Sequence, residues 1–262
     1  MPIFDSHAHY DDAAFDADRD ALLATLPAQG VCAVVNAASN LPSARISLAL
    51  AAQYPHIYAA VGIHPEEAFP TTEADIATLR ELYSQPKAVA IGEIGLDYHY
   101  EDACPREIQR RWFEAQLALA TELGAPVIVH DREAHEDTMR LLRQYRPAGV
   151  LHCYSGSVEM MREVVRLGMY IGLGGAVTFK NARRPVEVAA AIPADRLLLE
   201  TDAPYMAPVP LRGKRCDSRM IAHTAARIAE IRGCAVEELL EQTRQNACRL
   251  FGISEKATTL AD

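Results

Sequence analysis

The sequence predicts a single-domain α/β fold, a (β/α)8 TIM barrel over residues 1–253 with a C-terminal tail over residues 254–262. The chain has 262 residues, and such a barrel commonly needs about 250. Short apolar runs alternate with amphipathic segments along its length, and no linker rich in Pro, Ser or Gly divides it. An open doubly wound sheet is the alternative, but eight strand-plus-helix units favour a closed barrel.

The first strand begins at the apolar pair Ile3 and Phe4 and ends at His7 and His9. Side chains alternate between the two faces of a strand, so residues at i and i+2 point the same way. Two neighbouring imidazoles at a strand end are able to hold one divalent metal ion. The alternative is a chance pair of hydrogen-bonded side chains in a chain with nine histidines. Ligands from other strands are needed to decide between these readings.

The other strands are predicted from short apolar, β-branched runs. The second run is continuously apolar, which is typical of a strand buried on both faces. The strands predicted after the first are 31–35, 57–63, 88–91, 127–129, 150–151, 169–173 and 197–199.

Amphipathic segments between these runs predict the helices. Gly124 follows the longest segment, as glycine often does at a helix C-terminus, and Pro55 follows the end of another. The predicted helices are 18–26, 44–53, 73–83, 106–123, 134–145, 159–167, 185–191, 218–231 and 236–250.

Composition limits the function classes. A net charge of −9 argues against broad, non-specific binding of nucleic acid, but it permits an enzyme that engages one phosphodiester through metals and a local basic patch. Six scattered cysteines without a C-x-x-C motif predict reduced thiols. No apolar run approaches the roughly 18 residues of a membrane span, and no secretory signal precedes the first strand. We therefore expect a soluble, cytoplasmic, monomeric protein without membrane contact.

Acidic or imidazole side chains follow six of the eight predicted strands. The active site of a TIM barrel lies at the carboxyl ends of its strands, so these groups are expected to converge. Solvated surface charge would not fall so regularly after apolar runs. The residues at these positions are His7, His9, His64, Glu93, His130, His152 and Asp202.

Each position also has a structural alternative. His64 can cap a strand end, and His130 and His152 can be hydrogen-bonded core histidines. Asp202 can cap a helix or form a salt bridge. Glu200 lies two residues earlier on the same face but deeper, where it can serve as a structural partner.

A family resemblance connects these positions. The matching motifs follow the strands in order and cover nearly the whole chain: FDSHAH at 4–9, VGIHP at 61–65, AIGEIGLDY at 90–98, VHDREA at 129–134, HCYSG at 152–156, LETDAPY at 199–205 and PVPLRGKR at 208–215. The chain resembles the TatD-type metal-dependent deoxyribonucleases, within the amidohydrolase-like barrels. Small departures are Tyr10, Glu66 and the segment 216–218, the last of which lies in the expected substrate loop.

The resemblance implies two divalent metal ions and a nuclease reaction. One metal would be held by His7, His9, Glu93 and Asp202, and the second by Glu93, His130 and His152, so that Glu93 bridges them. His64 would lie near the substrate phosphate, and Asp202 would accept a proton from the attacking water, so that Asp202, Glu93 and His64 form the catalytic set. The nitrogen and oxygen ligands leave Mg²⁺, Mn²⁺ and Zn²⁺ open. The expected substrate is single-stranded DNA, cleaved from its 3′ ends.

Substrate contacts are expected from cations near the strand ends. Tyr98 and Tyr205 can either stack on a base or pack at the rim. A solvated turn is the alternative for the loop after the last strand. The predicted phosphate contacts are Arg132, Arg212, Lys214 and Arg215.

Two other functions are compatible with the same sequence. The same dinuclear centre is able to hydrolyse a small ester, a lactone, an amide or the ester of a D-aminoacyl-tRNA. A barrel retained for binding or scaffolding, without catalysis, is the second alternative. That alternative predicts degraded ligand positions, whereas all of them are present here.

Overall fold

A computed structural model describes residues 2–100 and 104–259 as one barrel of eight parallel strands. The strands pair in chain order, so each strand lies beside its sequence neighbours. They are β1 (Ile3–Ala8), β2 (Val31–Ala37), β3 (Ile57–Val61), β4 (Ala88–Asp97), β5 (Val127–Arg132), β6 (Gly149–Leu151), β7 (Tyr170–Leu173) and β8 (Leu197–Leu199). The predicted fold class is confirmed.

Helices follow each strand and cover the outside of the barrel. They are α1 (Arg19–Thr25), α2 (Leu41–Gln53), α3 (Glu73–Tyr83), α4 (Arg106–Leu123), α5 (His135–Tyr145), α6 (Val158–Arg166), α7 (Arg183–Ala191), α8 (Ile221–Arg232) and α9 (Val236–Phe251). No helix in the described ranges is long and apolar enough to cross a membrane. All six cysteines are free thiols, as predicted.

Two strands are longer than their apolar runs indicate. β4 continues through Asp97 and β5 through Arg132, because the two strands remain paired beyond their apolar parts. Gly95 lies opposite His130, and its own position cannot hold a side chain, since a Cβ there would collide with the His130 backbone. This close pairing carries the polar ends of both strands into the mouth of the barrel.

The barrel closes between the end of β1 and the segment after β8. A parallel bridge joins Ala8 to Ala203, and the His9 amide donates to the Ala203 carbonyl at 2.7 Å. The Asp202 amide donates to the His7 carbonyl at 2.9 Å. Closure therefore brings the first and last predicted ligands, nearly 200 residues apart in sequence, to adjacent positions.

The interior of the barrel is apolar below its mouth. Ile128, Val150 and Leu198 belong to one buried cluster. They precede His130, His152 and Glu200 by two residues, so alternation places each pair on the same strand face. Apolar side chains thus fill the barrel, and the polar groups of the same strands lie at its mouth. Phe251 of α9 stacks on Phe4 in the same cluster, with ring centroids 6.2 Å apart.

The segment after α9 packs on that helix over its described part. A 3₁₀ helix spans Glu255–Thr258, and Arg244 donates to the Thr258 hydroxyl at 2.7 Å and to the Glu255 carboxylate at 3.1 Å. The expected C-terminal tail therefore packs against α9 as far as Thr259, because it contacts the buried guanidinium of Arg244. The division at residue 253 stays a prediction, and residues 260–262 lie outside the described residues.

Candidate dinuclear metal centre

The carboxyl ends of the strands surround a cavity of about 1230 Å³. His9, His64, Glu93, His130, His152 and Asp202 line it. His7 lies beneath them and is fully buried. The structure therefore brings together all seven side chains that the strand-end analysis selected.

The first group of donor atoms comes from both ends of the chain and from β4. His7 Nε2 lies 3.0 Å from His9 Nε2, 3.2 Å from Glu93 Oε2 and 3.6 Å from Asp202 Oδ1. His9 Nε2 lies 3.5 Å from Glu93 Oε2 and 3.3 Å from Asp202 Oδ1. Four donor atoms thus converge on one point, as ligands of a single ion would.

The second group collects around the other oxygen of Glu93. Glu93 Oε1 lies 2.8 Å from His130 Nδ1, 2.6 Å from His152 Nε2 and 3.6 Å from His64 Nε2. His130 Nδ1 and His152 Nε2 are 3.2 Å apart. One carboxylate therefore offers Oε2 to the first group and Oε1 to the second, which is the geometry of a bridging ligand.

Outer hydrogen bonds orient two of the imidazoles. His9 Nδ1 donates to the Ala37 carbonyl at 2.8 Å, since a carbonyl only accepts, and this leaves the lone pair of neutral His9 on Nε2. His130 Nε2 donates to Asp97 Oδ2 at 2.9 Å, which leaves the lone pair on Nδ1. In both rings the nitrogen that faces the centre is the one able to bind a metal.

Asp97 contacts the candidate site and was missed by the sequence analysis. It lies on β4 four residues after Glu93, on the same face, and this spacing was the available signal. Gln109 of α4 fixes this strand end by accepting from the Asp97 amide and donating to its carbonyl, both at 2.8 Å. Asp97 thus acts on the centre through His130.

His7 and His64 are neutral in this site. Burial lowers the pKa of His7 to about 4, and it lowers the pKa of His64 to about 3. His64 Nδ1 accepts from the Glu66 amide at 3.2 Å, so the proton of the ring is on Nε2. His64 therefore presents an N–H group to the cavity, which fits a hydrogen bond to a substrate oxygen better than it fits a metal bond.

His9 and His130 carry positive charge when no cation is bound. Burial opposes that charge, but hydrogen bonds to Asp202 and Asp97 and the charge of Glu93 outweigh it and raise the pKa of each to about 10. Burial opposes ionisation of Glu93 and Asp202, but the surrounding histidines, His152 first for Glu93 and His9 first for Asp202, hold the pKa of each carboxyl below its ordinary range. The carboxylates are thus ionised, and a bound cation would replace imidazole protons.

The donor set fits divalent metal ions. Imidazole nitrogens and carboxylate oxygens are borderline-to-hard ligands, and no thiol belongs to either group. Cys153 lies in the cavity lining, but burial raises the pKa of its thiol, which makes it a poor ligand. Three overlapping sets of potential ligands converge here: His7 with Glu93 and His152, His7 with His9 and Asp202, and His64 with Glu93 and His130.

Comparisons with known proteins identify the family. A family model described as TatD related DNase matches residues 4–252. The chain belongs to the TatD family. It is 41% identical over 255 residues to the metal-dependent hydrolase YabD of Bacillus subtilis, covering 96% of this chain and 100% of that protein. It is 38% identical over 262 residues to the 3′-5′ ssDNA/RNA exonuclease TatD of Escherichia fergusonii, covering 96% and 100% of the two chains.

Solved structures agree with this membership. The chain superposes on YJJV, a TatD homolog from Escherichia coli K12, with a TM-score of 0.90 and 32% identity, covering 96% of this chain and 98% of that one. A TatD family hydrolase from Entamoeba histolytica gives a TM-score of 0.87 at 21% identity over 97% and 99%, which supports the fold. The TatD chain described here is a metal-dependent hydrolase, as the sequence analysis predicted.

Of the four cations predicted to bind substrate, one lines the cavity and three do not. Arg132 lines the cavity, where its guanidinium lies over the Tyr100 ring at 5.0 Å. The three cations of the loop after β8 are not among the lining residues. Arg215 forms a bidentate pair with Asp18 at 2.6 and 2.7 Å, and Arg212 stacks on Phe179 at 3.9 Å. Lys214 is exposed on the same loop.

Two other arginines reach the cavity and were missed. Arg183 and Arg184 begin α7 and are among the lining residues. Their signal in the sequence was a basic pair shortly after the seventh strand, where loop residues of a barrel face the site. Tyr205 lies at the same rim, while Tyr98 is held by a hydrogen bond to Asp137 at 2.7 Å and lies outside the cavity lining.

Proposed function

We propose that this TatD protein is a deoxyribonuclease that hydrolyses phosphodiester bonds at the 3′ ends of single-stranded DNA with two divalent ions. The observation that carries the proposal is the sharing of Glu93 between two groups of donors, with Oε2 in the first and Oε1 in the second. Two ions held by these groups would suit a phosphate, because each would offer positive charge to one substrate oxygen.

The residues of the first group are His7, His9, Glu93 and Asp202, and those of the second are Glu93, His130 and His152. When bound there, the ions lower the pKa of a water molecule and offset negative charge on the phosphate oxygens. Mg²⁺, Mn²⁺ and Zn²⁺ all accept nitrogen and oxygen ligands, and the choice among them is left to measurement.

Asp202 is proposed to move the proton of the attacking water. Its Oδ1 faces His7 and His9, whereas its Oδ2 makes no hydrogen bond within the described ranges. The low pKa of Asp202 keeps its carboxylate ionised, so Oδ2 has a lone pair that is able to accept the proton. The water oxygen bonds to phosphorus, one P–O ester bond breaks, and the proton passes to the leaving oxygen.

His64 and Arg132 are proposed to orient the phosphate. The Nε2–H of His64 lies 3.6 Å from Glu93 Oε1, beside the second group, where it is able to donate to a phosphate oxygen. Arg132 lies on the same cavity surface two residues beyond His130, and its guanidinium suits bidentate contact with a phosphate. Relatives named 3′-5′ ssDNA/RNA exonuclease support a nucleic-acid substrate.

The decisive experiment is a metal-dependent nuclease assay. The purified protein is treated with a chelator, resupplied separately with Mg²⁺, Mn²⁺ or Zn²⁺, and incubated with single-stranded DNA labelled at its 5′ end. We expect cleavage to disappear with the chelator and to return with at least one ion, with products shortened from the 3′ end. If the resupplied protein binds DNA but cleaves it with none of the three ions, the proposal is contradicted.

The same preparation distinguishes the nuclease function from the alternative hydrolase functions. A D-aminoacyl-tRNA and small esters and lactones are supplied in parallel with DNA at equal concentrations. We expect the largest kcat/KM for DNA. Faster hydrolysis of the aminoacyl ester would assign the centre to carboxylic esters instead.

A further inference from the structure

The charged side chains around the cavity are separated by strand. Those from the loops after β1 and β3 are all acidic. We call this group the acidic sector, and it consists of Asp11, Asp12, Glu66 and Glu67.

The end of β5 and the segment after β7 contribute the arginines of the cavity. We call this group the basic sector, and it consists of Arg132, Arg183 and Arg184. Asp131 also lies at the end of β5, but it accepts a hydrogen bond from His135 at 2.7 Å and so is turned to a local partner. The basic sector is therefore the side of the cavity with net positive charge.

The two sectors lie on opposite sides of the metal centre. The strands follow one another around the ring in chain order, so β2 lies across the barrel from β6. The acidic sector is centred on β2 and the basic sector on β6. Tyr100 after β4 and Tyr205 after β8 stand between them, and both rings are about half exposed.

Within the described residues, the carboxylates of the acidic sector form no ion pair; Arg19 contacts only the backbone carbonyls of Asp11 and Asp12. Asp11 accepts from the Asn36 amide at 2.7 Å and from Ser43, and Asp12 accepts from the Tyr205 hydroxyl at 2.9 Å. These partners are uncharged. Across residues 2–100 and 104–259, no Lys or Arg is within ion-pair distance of any of the four carboxylates.

The arginines of the basic sector are available to bind a phosphate. Arg132 contacts the face of Tyr100, and Arg184 has no carboxylate at ion-pair distance in the part of the chain that the structure describes. Arg183 pairs with Glu187 at 2.9 Å, but both side chains are exposed, so a phosphate is able to compete for the guanidinium.

A DNA strand therefore meets opposite forces on the two sides of the scissile phosphate. Each further phosphate is attracted over the basic sector and repelled over the acidic sector. The interaction between two unit charges changes a binding equilibrium about tenfold when they are about 8 Å apart, at an effective dielectric constant near 20 and with partial screening by salt. That effect is large enough to select which end of a strand is accepted.

We propose that the acidic sector holds the terminal nucleoside with its uncharged 3′-hydroxyl and excludes a 3′-phosphate, while the basic sector holds the phosphates of the remaining strand. The inference rests on the proposed nuclease function and deepens it. Water adds to the phosphorus of the last linkage, the P–O bond to the penultimate sugar breaks, and its oxygen takes the proton. One mononucleotide leaves from the acidic side in each cycle.

The test compares two single-stranded oligonucleotides that differ only in a 3′-hydroxyl or a 3′-phosphate. With the metal-loaded protein we expect kcat/KM to be about tenfold higher for the hydroxyl end. Replacing two exposed carboxylates, Glu66→Gln with Glu67→Gln, should raise kcat/KM for the phosphate end and reduce the preference to about threefold. The control Glu81→Gln, exposed at the far end of α3, should leave the preference unchanged.

Arg184→Ala tests the other sector. It should raise KM for both oligonucleotides by similar factors, because both place the same strand over the arginines. Arg166→Ala is its control and should not change KM, because Arg166 is exposed at the C-terminus of α6, which leads to the amino end of β7, away from the cavity. Cleavage of both ends at equal rates, or a preference that survives the Gln substitutions, would overturn the inference while leaving the nuclease function in place. Cleavage of neither end would overturn both.

Discussion

The centre of the barrel mouth and its rim are held in different ways. At the centre, His7, Glu93 and His130 lie on paired strands and are buried or nearly so. At the rim, Arg132 extends from the end of β5 and Arg184 begins α7, with few hydrogen bonds to fix either side chain. The centre is thus pre-organised before any ligand binds, whereas rim side chains are free to adjust to a substrate.

This difference implies a ranking of effects. Substitutions at the centre remove ligands or a proton acceptor from a rigid arrangement, so they should reduce turnover. Substitutions at the rim remove one of several electrostatic contacts and should change KM. Each prediction below tests that division, beginning with the largest effect.

Glu93→Gln should have the largest effect. An amide offers one weaker oxygen donor and one NH₂ group in place of two carboxylate oxygens, so it cannot bridge the two groups of donors. We expect bound metal, measured by elemental analysis, to fall from about two ions per chain to one or none, and cleavage to become undetectable. Retention of both ions and of activity would disprove the bridging role.

Asp202→Asn should decrease kcat by about 10²- to 10⁴-fold, because an amide cannot accept the proton of water. Asp202 has a φ of 59°, in the left-handed region, and Asn tolerates that conformation better than most residues. The variant should therefore fold without added backbone strain, which a cooperative thermal unfolding transition of the metal-free protein checks. Turnover at the original rate would eliminate Asp202 as the proton acceptor.

Asp97→Asn should have an intermediate effect on metal affinity. The amide cannot replace the carboxylate that orients His130, and loss of such a partner typically weakens metal binding by about 10- to 100-fold. Activity should return at high metal concentration, which a metal titration of the cleavage rate measures. An unchanged titration curve would mean that His130 is oriented without Asp97.

Arg132→Ala and Arg215→Ala compare the cavity with the neighbouring loop. Arg132→Ala should raise KM for DNA about tenfold by removing a charged hydrogen-bond donor. Arg215→Ala should change KM by less than about threefold, since Arg215 is paired with Asp18 outside the cavity lining. A larger effect at Arg215 than at Arg132 would place the strand over the loop after β8, as the sequence alone had indicated.

Most of the fold and the centre of the site are predictable because both depend on local patterns. Apolar runs such as Val127–Val129 specify buried strands, and β/α alternation specifies a parallel barrel with its functional groups at one end. His130 and His152 were assignable to the centre because each follows such a run directly. Asp97 was not assigned to the site because the apolar run of β4 ends before it, although β4 remains paired with β5 as far as Asp97.

By itself, the sequence determined the barrel and the seven polar groups at the strand ends, because strand alternation and the rule for parallel barrels act through near neighbours in the chain. The family followed separately, from the resemblance of its motifs. Tertiary structure alone decided that Glu93 faces two groups of donors and that His130 donates to Asp97. It also decided which arginines enter the cavity. Those facts depend on side-chain directions and loop paths, which arise from contacts between residues distant in sequence.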